Sequence, residues 1–178
     1  MDIEILVKLT ARAWALNILA CLDAGTPGRQ APLLAATGAS RTAFAQSLSH
    51  LIELKLLERN PGHGHPLRPE FRLTPEGIRI AAIAGRIVGA GSRDEDAALL
   101  RRTWTVPILV ACQRPRYFGE IRADLSPITD RALSLSLKQL QAHRWLDRHT
   151  DTEQHPPRPR YHAANAGQVI GRALAAVG

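Results

Sequence analysis

Residues 129–145 read TDRALSLSLKQLQAHRW, and this stretch indicates how the chain around it folds. Leu133, Leu137 and Leu140 are spaced i, i+4 and i+7, which places their side chains along one stripe of a helix. Thr129 comes just before the first of these leucines and can accept a hydrogen bond from a free backbone N–H, as helix N-caps do. The stretch therefore predicts one amphipathic helix whose leucines face a core.

The other side of this helix and the residues before it suggest what the helix belongs to. Arg131, Ser134 and Lys138 lie away from the leucines, so that face is polar and partly basic. Residues 117–125 predict a short helix, and the Ser-Pro-Ile sequence of residues 126–128 predicts a tight turn. A short helix, a turn and an amphipathic helix are typical of a helix-turn-helix, although any small helical hairpin gives the same pattern.

Apolar periodicity, caps and breakers predict the elements of the first half. Ser40 is placed to cap a long helix in which Phe44, Leu48 and Leu51 repeat the i, i+4, i+7 spacing. Two short alternating runs on either side of a Gly-, Pro- and His-rich loop predict a β-hairpin. The predicted order is helix 3–24, helix 30–36, the Ser40-capped helix, strand 56–59, loop 60–69, strand 70–73 and a helix that starts at residues 74–76 and ends at residues 89–91.

The same order of elements follows in the second half. Ser92 to Glu95 have the sequence of a capping box, which predicts that a new helix starts there. Pro107 predicts a kink or a break in the helix of residues 97–112. The remaining predictions are helix 117–125, helix 129–145, strand 145–149, a Pro-rich loop 150–159, strand 160–163 and a final helix 165–177.

The two halves are also related residue by residue. Trp14 and Trp104 are 90 residues apart, as are Gly77 and Gly167. The motif His-Pro-x-Arg-Pro starts at His65 and again 90 residues later. A fixed period across helices and loops is the mark of a duplicated unit. The predicted fold class is mainly α with small β-hairpins, as two tandem winged helix-turn-helix domains that comprise residues 1–91 and residues 92–178.

The second half contains five short motifs in order: WTVPIL at 104–109, RYFGEI at 116–121, ITDRAL at 128–133, LKQL at 137–140 and PPRPRY at 156–161. Through these motifs it resembles the HxlR family of bacterial winged-helix transcription regulators, over most of residues 101–174. The resemblance implies sequence-specific binding to duplex DNA by a dimer, with the third helix in the major groove and the wing on the backbone or minor groove.

The first half resembles the wider MarR-like winged helices, through FRLTPEG at residues 71–77. Three features depart from the HxlR pattern. HxlR proteins usually carry one winged helix per chain, whereas this chain is predicted to carry two. The last helix here starts with AANAG at residues 163–167 in place of a Leu-Thr-rich segment. Some family members carry a redox-sensing cysteine near the N-terminus, but no cysteine precedes Cys21 here, so the resemblance does not extend to oxidant sensing.

The third helix and the wing of each half supply the predicted DNA contacts. Arg and Lys can donate to guanine and Gln can bond adenine in two places, whereas loop residues would mostly contact phosphates. The alternative interpretation is that the polar helix faces are simply solvated and that the wing arginines pair with nearby carboxylates. The predicted DNA-binding residues are Ser40, Arg41, Thr42, Gln46, Ser49, His50, His65, Arg68 and Arg72 in the first half, and Thr129, Asp130, Arg131, Ser134, Lys138, Gln139, His155, Arg158 and Arg160 in the second.

Composition fits a partner that is an anionic polymer. The formal net charge is +7, and 20 of the 23 basic residues are Arg, whose planar fork suits phosphates and guanine edges. A GC-rich genome would also enrich Arg, so the charge supports DNA binding without establishing it. Aromatic residues make up only 4% of the chain, too few for a platform that stacks single-stranded bases.

Several other classes of protein are not favoured. Cys21 and Cys112 both lie in apolar helical runs, which predicts buried structural thiols and no redox pair. His63 and His65 have no cysteine or carboxylate at a ligand spacing, so we expect neither a metal nor another cofactor. No nucleophile elbow, phosphate loop or HExxH motif occurs, so we expect no enzyme. The chain has no run of 18 apolar residues and no signal-peptide layout, so we expect a cytoplasmic, nucleoid-associated protein without a membrane partner.

The sequence thus predicts a regulator that binds specific double-stranded DNA, either as a pseudo-dimeric monomer or as a homodimer. Two alternatives stay open. One is a winged-helix protein–protein adaptor of the kind found in condensin-type complexes, which would show acidic or apolar third-helix faces. The other is a plasmid replication initiator, which would have short repeated DNA sites beside its gene.

Overall fold

The computed structural model describes residues 2–60, 69–91, 94–153 and 155–174. They are mainly helical, as expected. The helices in chain order are α1 (Ile3–Thr10), α2 (Ala15–Asp23), α3 (Gln30–Thr37), α4 (Arg41–Glu53), α5 (Pro75–Ala90), α6 (Asp94–Leu100), α7 (Thr105–Ala111), α8 (Phe118–Asp124), α9 (Asp130–Ala142) and α10 (Ala166–Arg172).

Small antiparallel sheets complete the secondary structure. β1 and β2 form a two-stranded sheet in which Leu57 faces Leu73. β5 lies in the middle of a three-stranded sheet, between β3 and β4. The strands are β1 (Leu57–Arg59), β2 (Phe71–Leu73), β3 (Arg116–Tyr117), β4 (Leu146–Asp151) and β5 (Arg158–Ala163).

The chain divides into two compact units. The N-terminal unit is Ala11–Gly89, and the C-terminal unit combines Met1–Thr10 with Ala90–Gly178. Helix α1 therefore belongs to the C-terminal unit, in which it contacts α7. The prediction placed α1 in a domain of residues 1–91, so the compact units differ from the predicted domains in the placement of this helix.

The core of the N-terminal unit is built from one stripe of each helix. Phe44 and Leu51 of α4 are fully buried, as are Ile18 of α2 and Leu33 of α3. The i, i+4, i+7 spacing that predicted α4 is thus confirmed as its buried face. The helix predicted to start at residues 74–76 is confirmed as α5, and Thr74 caps it by accepting a hydrogen bond from the Gly77 backbone N–H at 3.0 Å.

The core of the C-terminal unit follows the same principle. Leu133, Leu137 and Leu140 of α9 are buried, together with Trp145, which follows that helix. Helices α8 and α9 both contact α7, and α10 packs on α7 as well. Helix α7 therefore lies at the centre of this unit, and it sets the positions of the two helices of the helix-turn-helix. The outward face of α9 carries the residues considered below.

The predicted single helix of residues 3–24 is wrong. The structure has two helices, α1 and α2, with turns at residues 11–14 between them. Nothing in the Ala-Arg-Ala-Trp sequence breaks a helix locally. The reason is tertiary: Leu6 and Leu9 are buried on α1 in one unit, whereas α2 starts the other unit. Local propensity is a weak preference that such packing overrides.

The helix of residues 97–112 is broken into two pieces, α6 and α7, which confirms the predicted break, but the break does not lie at Pro107. The break lies earlier, at residues 101–104, where the buried Thr105 hydroxyl donates to the Leu99 carbonyl at 2.7 Å. Pro107 is then the third residue of α7. Its missing N–H costs nothing there, because the first N–H groups of a helix have no partner within the helix.

Other differences are smaller. Helix α8 begins at Phe118, and the residues just before it form strand β3, which the sequence pattern did not predict. Strands β4 and β5 extend into the predicted loop of residues 150–159, and α9 ends at Ala142. Part of the capping box, Ser92, and the metal candidates His63 and His65 lie outside the described residues.

The backbone has the same conformation at two pairs of positions that follow α4 and α9. Lys55 and Arg144 both adopt a left-handed conformation with φ 57°. A Cβ added to Gly77 would lie 2.0 Å from the Leu56 carbonyl oxygen, and a Cβ added to Gly167 would lie 2.1 Å from the Trp145 carbonyl oxygen. Only glycine therefore fits at these two positions without a shift of the backbone. Lys55 and Arg144 are 144 − 55 = 89 residues apart, and Gly77 and Gly167 are 167 − 77 = 90 residues apart.

Candidate nucleic-acid interface

The N-terminus of α9 is fixed by local hydrogen bonding. The Thr129 hydroxyl accepts a hydrogen bond from the Ala132 backbone N–H at 3.2 Å, as expected for the N-cap. Ile128, just before it, is buried and anchors the turn. With the cap and the leucine stripe both fixed, the rotation of α9 about its axis is determined. The side chains of Arg131, Ser134 and Lys138 are exposed as a consequence.

The preceding helix, α8, is held by its own cap and by ion pairs. The Tyr117 backbone N–H donates to the Glu120 carboxylate at 2.7 Å. Arg116 forms ion pairs with Asp124 and, at 4.0 Å, with Glu120. Ile121 of α8 is fully buried. These contacts hold α8 in place and thereby position the turn before α9.

Asp130 has a partner that the sequence did not reveal. Its carboxylate lies 2.7 Å from Nε of Arg122 in α8, and both side chains are more than half exposed. Exposed ion pairs contribute on the order of 1 kcal/mol or less, so this pair adds little to stability. It joins α8 to the first residue of α9.

The hairpin of the C-terminal unit has an engaged base and an exposed end. Arg160 lies 3.5 Å from the Asp151 carboxylate, and its guanidinium stacks 5.0 Å from the centre of the Tyr117 ring. Tyr117 also donates to Asp151 at 2.5 Å, and this bond raises the pKa of the Tyr117 hydroxyl. His155 and Arg158 are exposed. Of the three wing residues predicted to contact DNA, two are accessible and Arg160 is engaged within the protein.

The predicted wing residues of the N-terminal unit are only partly described. His65 and Arg68 lie outside the described residues. Arg72 is exposed, but its Nε lies 2.6 Å from the carboxylate of Glu58 on the paired strand. The alternative interpretation of the wing, an arginine paired with a nearby carboxylate, therefore describes Arg72 in this structure.

Helix α4 presents a polar outer face. The Ser40 hydroxyl caps it by accepting from the Ala43 backbone N–H at 3.3 Å. His50 is half-buried and lies 4.0 Å from Glu53, at the edge of this face. The predicted residues that are exposed here are Arg41, Thr42, Gln46 and Ser49.

Sequence patterns missed one residue of the α9 face. Leu135 is 54% exposed, although three other leucines of the same helix are buried. Gln139, which was predicted, is half-buried at the margin. The signal for Leu135 was its position two residues from the nearest members of the buried stripe, which a helix turns away from the core.

The described residues offer little for other chemistry. They contain no group of three or more His, Cys, Asp or Glu side chains that could hold a metal ion. Burial raises the pKa of the Cys112 thiol to about 12, and it also raises the pKa of Cys21. Within the same residues, no single helix is long and apolar enough to cross a membrane, and α1 and α2 meet that requirement only when taken together.

The C-terminal unit contains a short helix, a turn, a capped helix with a polar outer face and an antiparallel hairpin. This is the arrangement of a winged helix-turn-helix. Residues 99–178 match the model of the HxlR-like helix-turn-helix family. That family consists of transcription regulators, so the match supports a DNA-binding regulator. It covers somewhat less than half of the chain. Searches of curated proteins and of solved structures gave no significant match.

Proposed function

We propose that this chain is a transcription regulator that binds specific sequences of double-stranded DNA through two winged helices. The observation that carries the proposal is the outer face of α9. Its cap and its buried leucines leave Arg131, Ser134 and Lys138 exposed, within the segment that matches the HxlR-like family. Helix α9 would enter the major groove, and the exposed Arg158 of the hairpin would contact a phosphate.

The proposal extends to the N-terminal unit by the repeat. Helix α4 has the same length as α9, the same kind of cap and an exposed polar face. The backbone after both helices adopts the same left-handed turn, at Lys55 and Arg144. These features support a second winged helix in residues 11–89. Its likeness to MarR-like proteins is part of the same proposal.

Two unlike helices would read an asymmetric site. Counted from the caps Ser40 and Thr129, Arg41 corresponds to Asp130 and Ser49 corresponds to Lys138. Such different side chains do not prefer the same bases. One chain would then bind a non-palindromic element in a single orientation, as a pseudo-dimeric monomer. A homodimer would bind a longer palindrome of that element, and either form would act on DNA in the cytoplasm.

The test begins with selection of bound duplexes from a random pool, followed by affinity measurements at several salt concentrations. Each phosphate contact should contribute a slope of about 0.9 in log K against log salt. Arg131→Ala should reduce discrimination between sites by about 1–3 kcal/mol if it grips a guanine. Arg158→Ala should weaken all duplexes alike. Arg172→Ala in α10 removes an exposed arginine outside the proposed interface and serves as the matched control.

The outcomes separate the proposed function from its alternatives. A flat salt response, or no binding to any duplex at low salt, would exclude DNA binding and favour the protein–protein adaptor. Footprinting, with the mass of the complex measured, gives the number of chains per site. A short palindrome bound by two chains, each using one winged helix, would contradict the pseudo-dimer. Short repeated sites beside the gene would favour the replication initiator.

A further inference from the structure

The outer face of α9 carries one large apolar side chain among polar ones. Leu135 is 54% exposed, and burial of the helix core does not explain it, because Leu133 and Leu137 supply that core. The half of the Leu135 side chain that stays in water contributes nothing to folding. Leu135 lies on the outer face of α9, and the polar contacts predicted for that face do not explain why a leucine is there.

The neighbours of Leu135 indicate what would cover it. Arg131 is four residues before it and Lys138 three residues after it, and both are exposed. Residues at these spacings are neighbours on a helix, with Cβ atoms about 5–6 Å apart. Arg131 and Lys138 would attract a polyanion, and Leu135 between them would contact an apolar group on that polyanion. A protein-docking surface would instead require a contiguous apolar patch.

The corresponding position of α4 supports an interaction with a base. Gln46 and Leu135 are each the sixth residue after their caps, Ser40 and Thr129, and Gln46 is also exposed. A glutamine there can form two hydrogen bonds to adenine, whereas a leucine can form none. The apolar group that duplex DNA presents in the major groove is the C5-methyl of thymine.

We propose that Leu135 determines specificity by packing against the C5-methyl group of a thymine in the half-site that α9 reads. The proposal rests on the proposed function, since it requires α9 to lie in the major groove. It assigns a base preference to a residue without hydrogen-bonding groups, and it predicts that the half-sites of α4 and α9 differ at this position.

The experiment removes the methyl group and the leucine separately. The full-length protein is bound to the duplex recovered from a random-sequence pool, and each thymine of the α9 half-site is replaced in turn by deoxyuridine. One replacement should weaken binding by the wild-type protein about fourfold, the value of burying one methyl group. Leu135→Ala should bind the unmodified duplex about as weakly as the wild-type protein binds the duplex with that replacement. The affinity of Leu135→Ala should not change further when the same thymine is replaced.

Two further variants serve as controls. Val169 of α10 is 59% exposed, so Val169→Ala removes a comparable exposed apolar side chain away from the proposed interface, and it should keep the methyl response. Leu135→Met keeps an apolar side chain at the position and should keep most of the response. Because Leu135 is 54% exposed, Leu135→Ala should be destabilised much less than a variant of a fully buried leucine and should stay folded at the temperature of the binding assay, which thermal unfolding checks.

The possible failures are distinguishable. If the wild-type protein binds no duplex, the proposed function fails and this inference fails with it. If the protein binds DNA with the expected salt dependence but Leu135→Ala responds to every replacement as the wild type does, only the inference is overturned. A selected half-site without thymine opposite α9 would overturn it equally. An unchanged DNA affinity of Leu135→Ala, with loss of a protein partner, would assign the residue to protein docking.

Discussion

Replacing Leu9 of α1 with alanine should destabilise the C-terminal unit, although the rest of this unit begins only at Ala90. Leu9 is fully buried, and α1 contacts α7. Truncation of a fully buried leucine costs about 2–5 kcal/mol, which combines lost transfer energy with the cavity left behind. Taking about 3 kcal/mol, and a urea dependence of about 2 kcal/mol per molar, the unfolding midpoint should fall by roughly 1.5 M.

Hydrogen exchange followed by mass spectrometry measures this effect for each unit. Peptides from α9 and α10 should lose protection at a lower urea concentration in Leu9→Ala than in the wild type. Peptides from α4, in the N-terminal unit, should change less. The assay separates the two units, which a whole-chain signal does not.

Ile5 provides a matched control on the same helix. It is 43% exposed, so Ile5→Ala removes a similar side chain with much less buried area and should cost well under half as much. Two results would refute the assignment of α1. One is equal loss of protection in the two variants, and the other is a loss confined to residues 11–89 in Leu9→Ala.

Further predictions concern two glycines and the thiols. Gly167→Ala places a Cβ 2.1 Å from the Trp145 carbonyl oxygen and should lower the free energy of unfolding by at least the roughly 1–3 kcal/mol typical of overpacking. Gly119→Ala, whose Cβ would have nothing within 4 Å, should leave the free energy of unfolding unchanged or raise it, and thermal unfolding of both variants measures the difference. The thiol of Cys112, whose pKa burial raises to about 12, stays protonated at pH 8 and should not react with a disulfide reagent in the native state. In a Cys21→Ser variant the thiol should react only after urea is added, and rapid native reaction would show that Cys112 is accessible.

Local signals in the sequence predicted much of the candidate interface. Caps at Ser40 and Thr129 and stripes of period 3.6 involve residues within a few positions of one another. The structure confirms both caps and the burial of both stripes. The exposure of Arg131 and Lys138 follows directly, because a helix that buries one face presents the other. The family resemblance of the second half was likewise visible in its motifs, and the match over residues 99–178 confirms it.

Side-chain pairing at the interface was not predictable in the same way. The pairs Arg122–Asp130 and Arg160–Asp151 join residues on different elements, so they depend on how those elements pack. The sequence identified the basic residues, and the tertiary structure decided which of them are engaged. Arg158, two residues from Arg160, remains exposed.

The sequence by itself determined the amphipathic helices, their caps, the hairpins and the period of about 90 residues, because each depends on short-range periodicity and turn chemistry. Only the tertiary structure decided the breaks at residues 11–14 and 101–104, the membership of α1 in the C-terminal unit and the position of Pro107 in the first turn of α7. The physical reason is that no local breaker ends α1. The buried face of α1 packs against residues far along the chain, in the C-terminal unit, and the helix ends where that packing ends. Such long-range contacts cannot be predicted from neighbouring residues in the sequence.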